Sequence, residues 1–551
     1  MRRGWPFCFV LLCTLHSSLL TSQHNPHSIP SVPQQLLDRT LPLRTGIGAA
    51  HDDAGTTSKE AQAFYDQALA YLHSFVWIEA ARSFHQALRH DPNLALAHVG
   101  LSYCYVELSK TTEARNAIAT AEQLVRKMAS AVADDHVKRH VEARALQMAA
   151  EDAPRDAARL AAYRKALDAA LVAFPNDVEL LLKRGMAESP DPAERGQGSV
   201  LASVPYYERA LKIEASASSA AVGSSAPFAA HHYLAHAYEN NARMKDAIDA
   251  AAAYASRASN IPHALHMHGH ELRRSGRVME AIARFEAADK IQRDYLSKEK
   301  IAAELDWHHA HNLDLLAASY QYIGQMRRAE GVLKQAFNLP TSLLVQAVNK
   351  REYPAFLVAR NRLDEAAAAA KALTAHPHPV VQASGHIEMG FTLLAMNRFA
   401  DGANASNLAL RALKAAPDGQ PLAVIPLEAL QGEFRLRTAQ REQGRQVMER
   451  AAMKWRGLPG PDAWTQSLFR LEALARAARQ VGDWPFAARM AQVMLEHDPN
   501  YAGTRYALGL VAQHDGNAAT AAREFDLAVK AWANADKDLP ELKQAVRRGG
   551  Q

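Results

Sequence analysis

Small and aromatic residues recur along the chain at fixed intervals. Ala80, Phe84, Ala87 and Pro92 are separated by four, three and five residues, and Phe64 and Tyr71 precede Ala80 by sixteen and nine. Ala114 follows Ala80 by 34 residues, with Leu101, Tyr105 and Ala121 in register. The same frame holds from Ala247 to Ala281, with Gly276, Phe285 and Ala288. It holds again from Ala487 to Ala521, with Gly482, Pro499, Leu508, Gly509, Gly516, Phe525 and Ala528. Gly324, Ala329 and Ala336 mark another unit, after a 14-residue insertion containing DYLSKEKIAAELD. Weaker units fall at 359–366 and 389–402. Apolar positions three and four residues apart predict amphipathic helices, and a 34-residue period predicts helix pairs. A single pair cannot bury its apolar face, so neighbours must stack into a curved array with a continuous core.

This spacing resembles the tetratricopeptide repeat (TPR) pattern. The expected fold is all-α: a tetratricopeptide repeat superhelix, an α-solenoid of about nine to ten helix pairs. The expected organisation is a signal peptide at 1–22, a segment of low periodicity at 23–60 and N-terminal units at 61–128. Atypical helical units follow at 129–227, with loops at 188–199 and 215–227. Histidine-rich units come next at 228–343, then C-terminal units at 344–535 and a tail at 536–551.

Composition narrows the function classes. Hydrophobic residues make up 48 % of the chain and charged residues 22 %, with a net charge of +5 over 551 residues. That charge is thinly spread, and no basic run interleaves with aromatics, so no nucleic-acid partner is expected. Arg2 and Arg3 precede a mostly apolar stretch from Phe7 to Leu20, which predicts an export signal and a periplasmic or secreted protein. No other segment reaches the roughly 18 apolar residues of a membrane span. Of the three cysteines, Cys8 and Cys13 would leave with the signal, and Cys104 is expected to pack in the core.

The candidate chemistry is histidine. Ten of the 25 histidines lie within 231–311. His232 and His236 are spaced i, i+4 with Glu239 three residues on, and His266 and His270 repeat the spacing in the next unit. His311 and Asp314 follow in a third. Within the repeat frame, His232, His236 and Glu239 occupy positions 5, 9 and 12. His263, His266 and His270 occupy 2, 5 and 9, and His311 and Asp314 occupy 2 and 5. These positions share one helix face, distinct from the packing face that carries His231, Leu234, Ala235 and Tyr238. Histidines at i, i+4 can chelate one ion, and imidazole with carboxylate suits zinc, copper, iron, nickel or manganese without selecting among them.

The motifs HYLAHAYE (232–239), HMHGHELRRSGR (266–277) and HNLDLL (311–316) resemble those of bacterial exported tetratricopeptide proteins. That family carries H-Y-x-I-H-A-x-E, H-M-P-S-H-I-x-x-R-x-G-R and H-N-x-H-F-L. The segments LPLRTGIG (41–48) and EAQAFYDQALAYLHSF (60–75) resemble its N-terminal end. His232, His236, Glu239, His266, His270, Arg274 and His311 match motif positions, whereas His268-Gly269 replaces Pro-Ser and Asp314 replaces His. The resemblance implies that this face lines the concave groove of the superhelix.

The expected metal ligands are therefore His232, His236, Glu239, His266, His270 and His311. Arg274 and Asp314 are the expected ligand-binding residues, and Glu239 is the candidate base beside a metal-bound water. The leading expectation is an exported binding protein that takes a protein or peptide in its groove. Its rivals are a metal-dependent hydrolase or oxidase and a pure scaffold with a structural histidine network. His231 and His268 are expected to pack, His263 to cap or flank its helix, and His308 and His309 to be solvated. Arg273 is expected on a solvated face.

Overall fold

The computed structural model describes residues 31–128, 132–218, 228–341, 343–458 and 461–549. The expected signal peptide, with Cys8 and Cys13, lies outside the described residues. Within them every regular element is helical, and none is long and apolar enough to cross a membrane. Helices alternate in antiparallel pairs, beginning with Lys59–Leu72 and Trp77–His90 and ending with Ala502–His514 and Ala518–Ala531. Helix Pro540–Gly549 closes the stack, and Leu539 and Ala545 pack with Trp532. The chain is an all-α tetratricopeptide-type superhelix. It has more pairs than the nine or ten expected, because Val132–Glu151 pairs with Ala157–Ala173 and Val178–Met186 with Val204–Ser218.

The 34-residue period has a backbone signature. The turn inside several repeats places one residue at positive φ: Phe75 (58°) and Ser109 (56°), then Ala242 (59°) and Gly276 (82°), then Gly482 (71°) and Gly516 (74°). Each of these pairs is 34 residues apart. These turns pass through the left-handed region as they fold the second helix back, and the chain uses glycine at some of them and bears the steric cost at others. Inside the pairs, small residues admit large ones. A Cβ on Gly269 would lie 2.9 Å from the Phe285 ring, and one on Gly509 would lie 2.7 Å from Phe525.

The superhelix closes on itself twice. One hydrophobic cluster runs from Val32 to Ile301 and a second from Leu272 to Val511. In the first, the N-terminal segment crosses to distant helices. Arg44 Nη2 meets Glu299 Oε1 at 2.6 Å, Arg82 Nη1 meets Glu299 Oε2 at 2.8 Å, and the Asn260 amide donates to the Gly46 carbonyl at 2.7 Å. Gly46 has φ 73°, and a Cβ there would strike the Asn260 side chain at 2.5 Å. In the second, the Asp536 amide donates to Gly324 O at 3.1 Å, and Tyr322 packs on Tyr501. Cys104 is fully buried, in the first cluster.

Candidate metal centre

Closure of the first ring decides what the histidine face meets. The turn His73–Val76, between the first two helices, points into the superhelix at the level of Ala229–Asn240 and Pro262–Arg274. The Phe75 ring lies 4.7 Å from His232, 5.3 Å from His263 and 6.4 Å from His236. Trp307 Nε1 donates to the Phe75 carbonyl at 3.1 Å, and its ring lies 5.5 Å from His263. The interior positions are therefore not an open groove. His232 is 0 % exposed, His266 1 %, Glu239 4 % and His270 6 %.

His232, His236 and His263 form the tightest group. Their ligand atoms all lie within 4.8 Å of one another. His232 Nε2 is 3.2 Å from His236 Nε2 and 3.0 Å from His263 Nε2. Three nitrogens bound tetrahedrally to one ion at roughly 2.0–2.1 Å would be about 3.3 Å apart, so these two separations, which are also hydrogen-bond distances, are compatible with a shared ion. The tautomer agrees. His232 Nδ1 lies 2.6 Å from the His73 carbonyl oxygen, which can only accept, so Nδ1 carries the proton and the Nε2 lone pair faces the other two rings.

Two further histidines are pinned in the same way. His266 Nδ1 meets Asn312 Oδ1 at 3.0 Å, and Asn312 Nδ2 donates to the Phe285 carbonyl, which fixes the amide's orientation. His308 Nδ1 meets Gln292 Oε1 at 3.1 Å, and Gln292 Nε2 donates to Asp306 Oδ2. Both histidines are left with an Nε2 lone pair, and that of His308 is buried without a hydrogen-bond partner. Burial also pushes imidazole pKa values down: His232 falls to about 3, and His263, His266 and His308 fall well below the ordinary value. Neutral imidazole is the form that binds a metal.

One helical turn along, a second group gathers Glu239, His270 and Glu271, with ligand atoms again within 4.8 Å. His270 Nδ1 and Arg274 Nη1 lie 2.9 Å and 3.0 Å from Glu239 Oε1. Burial pushes the Glu239 carboxyl up, but the charges of His270 and Arg274 hold it down, to about 2. Glu239 is thus held as a carboxylate at neutral pH. Arg274, expected to bind a ligand, pairs here with the Glu239 carboxylate.

His311 packs beside His266, with ring centroids 4.7 Å apart. Asp314 turns away: it accepts from Asn349 Nδ2 at 3.1 Å. With His311 it lines a separate cavity of about 80 Å³ beneath Arg470 and Arg476. Among the described residues Asp314 joins no ligand group.

Four expectations are corrected. His263 does not merely cap its helix. Pro262 is the first helical residue, which puts His263 in the first turn, three and seven residues before His266 and His270 on their shared face. His308 and His309 are buried rather than solvated. Asp306 Oδ1 accepts both of their amides, at 3.0 and 2.7 Å, and turns the helix start inward. Arg273 is buried, and its guanidinium faces the Tyr322 ring. His231 and His268 are half-buried on the packing side, as expected.

A third group, Asp52, His136, His140 and Asp177, was not singled out in the sequence. His136 Nε2 and His140 Nε2 lie 2.9 and 2.8 Å from Asp177 Oδ2. Lys183 Nζ lies 3.2 Å from His140 Nδ1. An ammonium donates there, so the proton of His140 sits on Nε2 and the group is satisfied without an ion. It adjoins the three-histidine group through Glu179, which meets His73 Nε2 at 2.6 Å, while His73 Nδ1 meets the Tyr233 hydroxyl at 2.8 Å.

Behind the histidines lies a cavity of about 490 Å³. Phe75, Trp77, Tyr295 and Trp307 form its apolar walls, His263 and His308 its inner end, and Arg44, Lys298 and Glu299 part of its rim.

No protein-family model matches the sequence, and no curated protein matches it significantly. Among solved structures the chain is similar to the crystal structure of yeast Tom70, at 13% identity and a TM-score of 0.30. That alignment covers 89% of this chain and 95% of the other. The chain is also similar to the APC/C hetero-tetramer Cut9-Hcn1, at 12% identity and a TM-score of 0.27, with 90% and 97% covered. At these scores the superpositions are loose, and the architecture is read from the helix pairs themselves.

Proposed function

We propose that this chain is a metalloprotein in which His232, His236 and His263 hold a divalent transition-metal ion. The observation that supports this most directly is the convergence of three Nε2 atoms around a His232 ring whose other nitrogen is tied to the His73 carbonyl. Three histidines leave a fourth coordination position, the pattern of sites that bind a water or a substrate. The cavity of about 490 Å³ that ends at His263 is large enough for a small organic molecule to approach the centre. A peptide laid along the histidine face is not supported, because Phe75 and Trp307 fill that space. Export through residues 1–22 belongs to the same proposal, and the N-terminal sequence of protein recovered from its host tests it.

The metal test is elemental analysis of untagged protein purified without chelator, beside His263→Ala and His236→Ala variants. A near-stoichiometric ion lost in both variants is expected. Wild-type protein that carries no metal, and takes up neither zinc nor copper on equilibrium dialysis, overturns the reading.

A further inference from the structure

Glu271 was not singled out by its sequence position, which lies off the histidine stripe. In the structure it is 0 % exposed, and neither carboxylate oxygen meets a hydrogen-bond donor. Its polar neighbours are Glu239 and its own chain neighbour His270, whose ligand atoms lie within 4.8 Å of its own. Two carboxylates side by side in a buried site repel each other, and an unpaired buried charge is costly. Arg274 answers only one of them, through Glu239 Oε1 at 3.0 Å. The charges of His270 and Arg274 also act on Glu271, but neither group donates to its oxygens, which leaves room there for a proton shared with Glu239 or for a cation.

We propose that Glu239, His270 and Glu271 hold a second divalent metal ion, one to two helical turns along the chamber from the three-histidine ion. The donor set is one imidazole and two carboxylates, supplied by two neighbouring helices, Ala229–Asn240 and Pro262–Arg274. Arg274 against Glu239 plays the outer part that orients a ligating carboxylate, and leaves Glu239 Oε2 for the ion. Mixed nitrogen and oxygen donors favour manganese, iron or zinc over a thiolate-seeking metal. Glu239 lies three residues beyond His236 and His270 seven beyond His263, so at 1.5 Å of rise per residue the two ions would lie roughly 5–10 Å apart. Two ions at that spacing would both face a molecule entering from the chamber, one on a nitrogen-rich and one on an oxygen-rich site.

The site does not depend on the three-histidine ion, and the two can be separated. Equilibrium dialysis against zinc, and separately against manganese, is read as ions per chain for wild type, His263→Ala and Glu271→Gln. Glu271→Gln keeps the size and shape of the side chain, and circular dichroism confirms that each variant is folded. Two ions in wild type, falling to one in each single variant and to none in the double, are expected. One ion in wild type that survives Glu271→Gln and is lost in His263→Ala overturns the second site and leaves the first. One ion lost in Glu271→Gln and kept in His263→Ala upholds the second and overturns the first. No ion in wild type overturns both, and a shared proton then accounts for the carboxylate pair.

Discussion

His232 gives its Nδ1 proton to the main-chain carbonyl of His73 at 2.6 Å, across 159 residues of sequence. The bond does two things. It locks the first turn of the array onto the fifth helix pair, and it decides which nitrogen of His232 is free. Closure of the superhelix and the chemistry of its interior thus have one cause. A solenoid that stopped short of one turn would carry the same histidines on an open face, titrating at about the ordinary value of 6.5 and with no carbonyl to fix the His232 tautomer.

Phe75 is the plug of that closure. Its ring touches three histidines, and Trp307 binds its carbonyl. Phe75→Ala should cost about 3–5 kcal/mol, the usual price of removing a buried phenyl. It should also let water reach the chamber, so that bound metal exchanges faster. Thermal melts and chelator-challenge kinetics check both. A variant that melts lower but releases metal at the wild-type rate would mean that the ring supports the fold and not the site.

Much of this was written in local pattern, and the rest was not. The 34-residue period marks the turns where Phe75, Ser109, Ala242 and Gly276 take positive φ. The i, i+4 spacing puts His232 with His236 and His266 with His270 in one chamber. His263 lay on the same stripe by its spacing of three and seven, but Pro262 before it suggested a helix flank rather than a first turn. The burial of His308 and His309 depends on Asp306 and on Trp307 reaching Phe75, which no local pattern encodes. Closure itself is the sum of small rotations between successive pairs. A slight change in each would leave the periodicity intact and the chamber open, so the periodicity could not announce Phe75 as the lid.

His136 joins the N-terminal segment to the third and fourth helix pairs, with Asp177 at 2.9 Å and Asp52 at 3.4 Å; His140 and the Phe174 ring also face it. Burial alone would push its pKa down, but its bonds to the two carboxylates raise it to about 10. A folded value above the unfolded value of about 6.5 adds stability that is complete below pH 6.5 and lost as pH rises through 10. His136→Gln can still donate to Asp177 but does not titrate. The gap in melting temperature between wild type and this variant should therefore shrink from pH 6 to pH 10. Melting curves that stay parallel across that range would remove His136 from the alkaline response.

Arg470 ties the second ring together. Its Nη1 and Nη2 meet Glu388 Oε1 and Glu352 Oε1, each at 2.9 Å, and all three side chains are largely buried. Arg470→Ala leaves Glu388 without its arginine and Glu352 with only Arg351, whose Nε is 3.4 Å away, and should destabilise the C-terminal units by about 3–5 kcal/mol. Adding Glu352→Gln and Glu388→Gln removes the stranded charges, and should recover most of the loss. Denaturant midpoints of the single and triple variants decide it. A triple variant no more stable than Arg470→Ala would show that the packing of the arginine, rather than its charge, is what the site needs.

The repeat turn offers a test with no chemistry in it. Ala242 and Gly276 are 34 residues apart in the same turn, at φ 59° and 82°. A Cβ added to Gly276 meets nothing within 4 Å, so Gly276→Ala changes only the backbone preference. A left-handed residue with a side chain costs roughly 1–2 kcal/mol, offset by about 0.4–1 kcal/mol from the narrower unfolded ensemble. Gly276→Ala should therefore lower stability by up to about 1.6 kcal/mol, and Ala242→Gly should raise it by a similar amount. If one period of the array is one structural unit, the two shifts are equal and opposite within error, and the double variant melts with wild type. Shifts of the same sign would mean that the two turns, alike in φ, are held by different neighbours.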